Sequence, residues 1–444
     1  MSIQSIVVIE LRGIDNRNVT QPIASNSRSM LAADRGAFRS LRIRNFRLYF
    51  FGQICSITGN NAQTIAIGWL ILQLTGSGTM LGLVTAAQFL PLLVLSPLLG
   101  SLIDRFSKRY ILMITQLLGF LVATTLWVIT AAGRASAWEV CALALVLGAV
   151  NAIDNPTRQT LIREMVGSKL LLNAAALNNV LMGVARIAGP GIAGVVIAVW
   201  GIPHCFFLNA VSFLVILAAL AMMTNSRRPS SVSRSNSRSL RSGFRYAAST
   251  PDVRWGLILM ALVGTFTYEF WVTLPILVKD VFGQGSSGYA AIMMVMSVGS
   301  VAGGLLLAAR LSVRRAQLGR ATMAFGVTTI AVGISPTIEI SFVTVLLMGG
   351  AYSAFVAVSS STFQLSIDEQ FQGRVMALWT SAFVGSTAIG GPIMGWIAQY
   401  YGARSALVSG GLVAIAAAWL ASSSMHTQGI KTDSRTTPSY QASR

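Results

Sequence analysis

The chain has 444 residues, of which 54% are hydrophobic and only 11% charged, whereas roughly a quarter of a soluble protein is charged. So few charges cannot cover a soluble enzyme of this length, and the long, repeated apolar runs exclude intrinsic disorder. The 33 Lys+Arg against 14 Asp+Glu give a formal charge of +19, but the basic residues sit in short stretches between apolar runs, where they orient a membrane protein instead of marking a nucleic-acid partner.

Residues 1–47 are basic, and their apolar patch from Ile6 to Ile9 is too short for a signal-peptide core and is cut off by Glu10. They read as a cytoplasmic tail. A membrane-crossing helix needs about 20 mostly apolar residues, and the sequence predicts twelve: roughly 48–74, 80–103, 110–132, 137–160, 172–199, 205–224, 254–280, 287–310, 320–335, 338–365, 375–400 and 404–423. The ninth is short and ends at Pro336. The expected fold class is therefore all-α and polytopic, with two six-helix bundles over 48–224 and 254–423. A Ser/Arg-rich cytoplasmic linker, 225–253, joins them, and a polar tail, 424–444, closes the chain.

Span one carries Gln53, Asn60, Asn61 and Gln63, candidates for the lining of an internal cavity or for interhelical hydrogen bonds. Between spans two and three stands Gly100-Ser-Leu-Ile-Asp104-Arg105-Phe-Ser-Lys108-Arg109-Tyr110. Gly100 permits close helix approach, Asp104 suits the positive end of a neighbouring helix, and Arg105, Lys108 and Arg109 hold the loop at the inner surface. Three ionisable residues fall well inside spans: Asp154, Arg186 and Glu269. Each costs at least about 2.5–3.5 kcal/mol at mid-helix, so such residues face the bundle interior and have a task. Asp154 and Arg186 flank the loop between spans four and five around a mean position of 170, which predicts similar depth and a buried ion pair. That pair could fix packing or open and close during transport.

Span five also carries Asn178, a further cavity candidate, and Gly183, Gly189, Pro190, Gly191 and Gly194, a small-residue face with a proline kink. In span seven Glu269 lies within Phe266-Thr267-Tyr268-Glu269-Phe270-Trp271. A carboxyl group that takes up and releases a proton inside the membrane is what proton coupling needs; Glu269 could equally bind a cationic group on a substrate, as Trp271 could through its ring face, and Tyr268 is a further cavity candidate. Span eleven repeats span five: Ala176-Leu177 before Gly189-Pro190 is echoed by Ala377-Leu378 before Gly391-Pro392, with an offset of 202 residues between the prolines. Parallel six-helix repeats are a transporter signature, with the substrate site near mid-membrane between them.

With both termini inside, 29 of the 33 basic residues fall on the inner side, counting Arg158, Arg163 and Lys169 with the loop between spans four and five. The outer loops hold only Arg134, Lys279 and Arg404, and Arg186 lies within span five. Both ends are expected in the cytoplasm. Three well-separated cysteines, Cys55, Cys141 and Cys205, and two histidines in a loop and the tail suggest no disulfide framework, metal or cofactor.

The 100–110 segment resembles the loop signature G-x-x-x-D-R-x-G-R-[RK] of the major facilitator superfamily, with Ser107 and Lys108 at its second Gly and following Arg. Phe46–Gly59, Leu74–Leu93, Asp154–Val166, Asn173–Gly194 and Gly373–Trp379 resemble the enterobactin-exporter group, which includes macrolide-efflux-type pumps. The resemblance implies proton-driven export of an amphipathic molecule such as a siderophore from a bacterial inner membrane. It also implies that Gly-Pro-Gly-Ile-Ala-Gly at 189–194 acts as an outer-side hinge against leakage. Asn60 stands where some relatives carry Asp, and span four lacks the Arg-containing coupling motif of drug antiporters. The expected partners are a small-molecule substrate, protons and membrane lipid, with the chain a monomer. A nucleotide-driven pump is excluded by the absence of a G-x-x-x-x-G-K-[ST] loop. Multidrug efflux, an uptake carrier and a membrane-embedded enzyme stay as alternatives.

Overall fold

Turn chemistry places the helices. Ser77 caps α2 by accepting a bond from the Met80 amide at 3.1 Å, and Ser136 with Glu139 forms a reciprocal capping box at the start of α4. In this computed structural model the described residues are 38–224, 240–308, 316–368 and 371–433. The chain divides into two units, Met1–Arg39 and Ser40–Arg444, and all the α-helices named below belong to the second.

The helices before position 225 are α1 (Arg44–Thr75), α2 (Gly78–Arg105), α3 (Lys108–Ala131), α4 (Ala137–Trp200) and α5 (Ile202–Ala221). Those after it are α6 (Leu240–Ser249), α7 (Pro251–Phe266), α8 (Phe270–Ile276), α9 (Ser286–Ala308), α10 (Ala316–Gly333), α11 (Ile338–Ser366), α12 (Gln372–Thr380), α13 (Thr387–Tyr401) and α14 (Ala403–Asp433). A helix lies over each of the twelve expected runs. Among the described residues, eight helical stretches, Ala137–Trp200 included, are long and apolar enough to cross a membrane. Helix α1 falls short of that measure because it carries Gln53, Asn60, Asn61 and Gln63. The outer faces are apolar: on α3, Ile114, Leu117 and Leu121 are exposed while Leu112, Val122 and Leu126 are buried, the pattern of a helix with lipid on one side.

Two of the expected non-spanning segments carry helix. Residues 240–249 of the linker form helix α6, whose Tyr246 ring stacks on Phe371 at 4.4 Å. The closing polar tail is helical as far as Asp433; residues 1–37, 225–239 and 434–444 of the expected tails and linker lie outside the described residues.

Helix α4 is 64 residues long on paper but breaks at Gly167, with φ 68° and ψ 178°, a backbone region open essentially to glycine alone. The chain reverses there. Gly148 on the first arm packs on Gln88 and Gly189 on the second packs on Asn61, two levels at comparable distance from the Gly76–Ser77 turn. Gly167→Ala is expected to cost about 1–3 kcal/mol and lower the thermal unfolding midpoint in detergent. Gly285→Ala, at a position with open space around it, should leave the midpoint unchanged.

Two helices carry irregular turns. The chain unwinds between α7 and α8 at Thr267–Glu269, where the amides of Thr267 and Tyr268 both donate to the Val263 carbonyl at 2.9 Å. A π turn at Ser381–Gly385 joins α12 towards α13, a feature frequent at functional sites.

Candidate functional site

The amino-terminal and carboxy-terminal helices meet most closely at the end of the molecule bearing the α1–α2 turn. There α2 and α13 run backbone to backbone: a Cβ on Gly82 would lie 2.2 Å from the Gly391 carbonyl oxygen, and one on Gly395 would lie 2.3 Å from that of Gly78. Only glycines allow this approach. Gln399 adds polar ties, its Oε1 accepting from Ser77 Oγ at 2.7 Å and from the Thr79 amide at 3.1 Å. Lys279 Nζ reaches from the π turn Leu277–Val281 after α8 to the Leu72 carbonyl at 2.8 Å. On the other side of the molecule the second arm of α4 meets α9, with Gly194 on Ala290 and Gly191 on Met294.

Below this closure lies a cavity of about 360 Å³. Its two walls differ in chemistry. The amino-terminal wall carries amides and both arginines, Asn60, Asn61, Gln88, Asn155, Arg158 and Arg186, among apolar side chains. The carboxy-terminal wall is aromatic and thioether-rich, with Tyr268, Phe270, Trp271, Tyr289, Met293 and Tyr352. The latter wall is stiffened from behind, because Tyr268 packs on Phe383 at 4.9 Å and on Tyr352 at 5.5 Å, and Phe355 packs on Phe383 at 5.5 Å.

Asp154 is almost wholly buried and sits in a polar network. Thr115 Oγ1 and Gln116 Nε2 donate to its Oδ1 at 2.8 and 2.7 Å, Ser56 Oγ donates to Gln116 at 3.2 Å, and its Oδ2 pairs with Arg158 Nε. The Gln53 amide, turned with its oxygen towards the guanidinium, accepts from Arg158 Nε and Nη2 at 3.2 Å. The expected Asp154–Arg186 pair therefore does not form. The reversal falls at Gly167 and not at 170, so Asp154 and Arg186 stand 13 and 19 residues from it, a depth difference of roughly 9 Å at 1.5 Å per residue. Arg158, one helical turn after Asp154, takes the carboxylate instead. Sequence reasoning counted Arg158 among loop charges; its i, i+4 spacing from Asp154 was the signal that could have found it.

Arg186 is exposed to the cavity and makes no hydrogen bond or ion pair among the described residues. Pro190, four residues on, also lines the cavity and cannot donate the helix bond that the Arg186 carbonyl would accept. Asn61 Nδ2 ties α1 to this stretch by donating to the Ala185 carbonyl at 3.2 Å.

Glu269 does not line the cavity. It lies at the unwound stretch between α7 and α8, 1% exposed, with Oε1 against Gly390 of α13 and the Thr387 hydroxyl beside it. Neither carboxylate oxygen meets a donor at hydrogen-bond distance.

Among the other expected lining residues, Asn60, Asn61, Tyr268 and Trp271 face the cavity, whereas Gln53, Gln63 and Asn178 do not. Gln53 is held by Arg158, and Gln63 accepts from Asn209 of α5 at 2.8 Å; both serve as bonds between helices. Gly100, Asp104 and Arg105 end α2 as helical backbone, with side chains outside the described residues. Lys108 Nζ donates to the Phe106 carbonyl at 3.4 Å, and Arg109 Nη2 donates to the Ala221 carbonyl at the end of α5 at 2.9 Å, a favourable position for a cation.

A family model described as transmembrane secretion effector matches residues 35–442. The staphyloferrin A transporter of Staphylococcus aureus (strain NCTC 8325 / PS 47) is 24% identical over 342 residues, 75% of this chain and 84% of that protein. The multidrug efflux pump Tap of Mycolicibacterium fortuitum is 25% identical over 376 residues, 82% of this chain and 91% of that protein. Among solved structures, the nucleoside transporter NupG superimposes with a TM-score of 0.70 at 12% identity, covering 85% of this chain and 98% of that one, a likeness of fold.

Proposed function

Because the chain belongs to the transmembrane secretion effector family, a group of major facilitator transporters, we propose that it exports an amphipathic small molecule from the bacterial cytoplasm in exchange for protons. It is a multi-pass membrane transporter. The observation that carries the transport reading is the cavity between amino- and carboxy-terminal helices, closed at one end by the α2–α13 glycine contact, and the outward direction rests on the family. A site of this kind serves alternating access. Twelve crossings in two six-helix bundles with cytoplasmic termini fit the helix order and the 29 basic residues assigned to the inner side; on that reading the closed end faces outside.

A siderophore is the favoured cargo, in keeping with the relative named as a staphyloferrin A transporter. The test compares a deletion strain with its parent under iron limitation, profiling small molecules in cells and medium. Accumulation inside the deletion strain and loss outside name the substrate. Matching profiles reject siderophore export and favour drug efflux, the second reading, which rests on the relative named as a multidrug pump and on the aromatic wall.

Proton coupling is assigned to Glu269, a carboxyl group buried beside the Thr387 hydroxyl at a helix break. Glu269→Gln should lower proton-driven uptake of the secreted compound into inverted vesicles by at least about tenfold, the scale of losing one proton-transfer group, while leaving exchange of labelled for unlabelled compound intact. Equal loss of both activities would reject the assignment.

A further inference from the structure

The cavity's charge distribution narrows its ligand. Among the described lining residues none is acidic, and two are arginines. Arg158 is already committed: Asp154 takes its Nε and Gln53 faces its remaining nitrogens. Arg186 is not, for it has no hydrogen-bond or ion-pair partner among the described residues and is exposed to the cavity. It lies roughly 15 Å deeper than Arg158, ten residues further from the Gly167 reversal at 1.5 Å each. An uncompensated guanidinium facing the cavity at that depth calls for an anion when the cavity is filled.

The opposite wall supplies the rest of the recognition. Aromatic faces alone would also suit a cationic ligand. Here, however, Arg186 acts on Tyr268 electrostatically, so a cation on that wall would meet a positive charge. Glu269 offers no relief, since its carboxyl group is buried against Gly390 outside the cavity.

We infer that the cavity binds an amphipathic organic anion, its carboxylate or other oxyanion on Arg186 and its apolar part across the aromatic wall formed by Tyr268, Trp271 and Tyr352. This assignment rests on the transport reading and makes it more specific. The ligand bridges helices from both parts of the chain, its charged end on α4 and its apolar end on α8 and α11.

The test uses purified full-length protein in detergent and three probes sharing one ring system: 2-naphthoylglycine, its neutral carboxamide, and the ammonium analogue N-(2-aminoethyl)-2-naphthamide. Binding is measured by equilibrium dialysis against protein-free micelles. The carboxylate should bind at least about tenfold tighter than the carboxamide, the scale of a hydrogen bond to a charged group, and the ammonium probe no tighter than the carboxamide. Arg186→Gln should bring the carboxylate down to the carboxamide's affinity while leaving the carboxamide unchanged, which shows that the cavity is intact; Arg186→Lys should keep part of the preference. Equal binding of the three probes, a preference for the ammonium, or no binding of any overturns the anion assignment, and the deletion-strain profile still decides export on its own. A carboxylate preference that survives Arg186→Gln overturns the role given to Arg186. If the preference holds and the deletion strain exports siderophore normally, the site stands and the siderophore reading falls.

Discussion

Gly82→Leu is expected to abolish transport while the protein still inserts and folds. Even a Cβ at this position would stand 2.2 Å from the Gly391 carbonyl oxygen and 2.9 Å from the Pro392 Cα, and neither backbone atom can turn aside. Helix α2 must therefore move away from α13. Overpacking of this kind costs about 1–3 kcal/mol, a shift of about 5- to 150-fold in a two-state balance, against the state in which the end bearing the α1–α2 turn is closed. The measurement is accessibility of Thr64→Cys, a cavity position, in a background without Cys55, Cys141 and Cys205. With the glycine in place, an impermeant maleimide should label it in inverted vesicles but not in intact cells. With leucine, intact cells should label as well. Unchanged labelling together with normal transport would show that the glycine contact is mere packing and no gate.

The second large effect concerns stability. Arg158→Leu removes the one cation paired with Asp154 and leaves a carboxylate with a 1% exposed side chain facing only Thr115 and Gln116. Breaking a buried pair in this way costs about 3–5 kcal/mol, which should appear as a marked fall in the thermal unfolding midpoint in detergent. The double replacement Asp154→Asn with Arg158→Gln removes both charges and should recover more than half of that loss, because the penalty lies in the orphaned charge. A double variant as unstable as the single one would mean that the network's shape matters more than its charge.

What the sequence made legible was the part governed by long-range apolar patterning. Each expected run carries a helix, and the small-residue stretches around Gly189 and Gly391 sit at helix contacts. Depth and facing were harder to read. Matching Asp154 to Arg186 takes the reversal to lie near 170, midway between them, whereas it falls at Gly167, which is not distinguishable from other glycines without its φ. Gln63 and Asn60 are three residues apart on α1, yet one meets Asn209 of α5 and the other the cavity. Interhelical rotation decides between them, and one helix's own sequence does not encode it. The unwound stretch at Thr267–Glu269 was silent for a related reason, since neither glycine nor proline interrupts Phe266 to Trp271. Helix α6 was hidden by the serine-rich composition of its surroundings.

The spacing from alanine to proline is 14 residues between Ala176 and Pro190 but 15 between Ala377 and Pro392, and the π turn at Ser381–Gly385 lies inside the longer interval. A residue added to a regular α-helix rotates everything after it by about 100°; a π turn takes up the surplus by widening one loop of the spiral. The two repeats thus differ in length by one residue and stay in phase, so Gly391 and Gly395 keep their edge towards α2 while Phe383 stays among the rings behind the cavity. The widened loop presents the Phe383 carbonyl to the Ser386 hydroxyl at 2.8 Å and presses it towards Gly264. Symmetry between the repeats is accordingly a matter of angle and not of residue count.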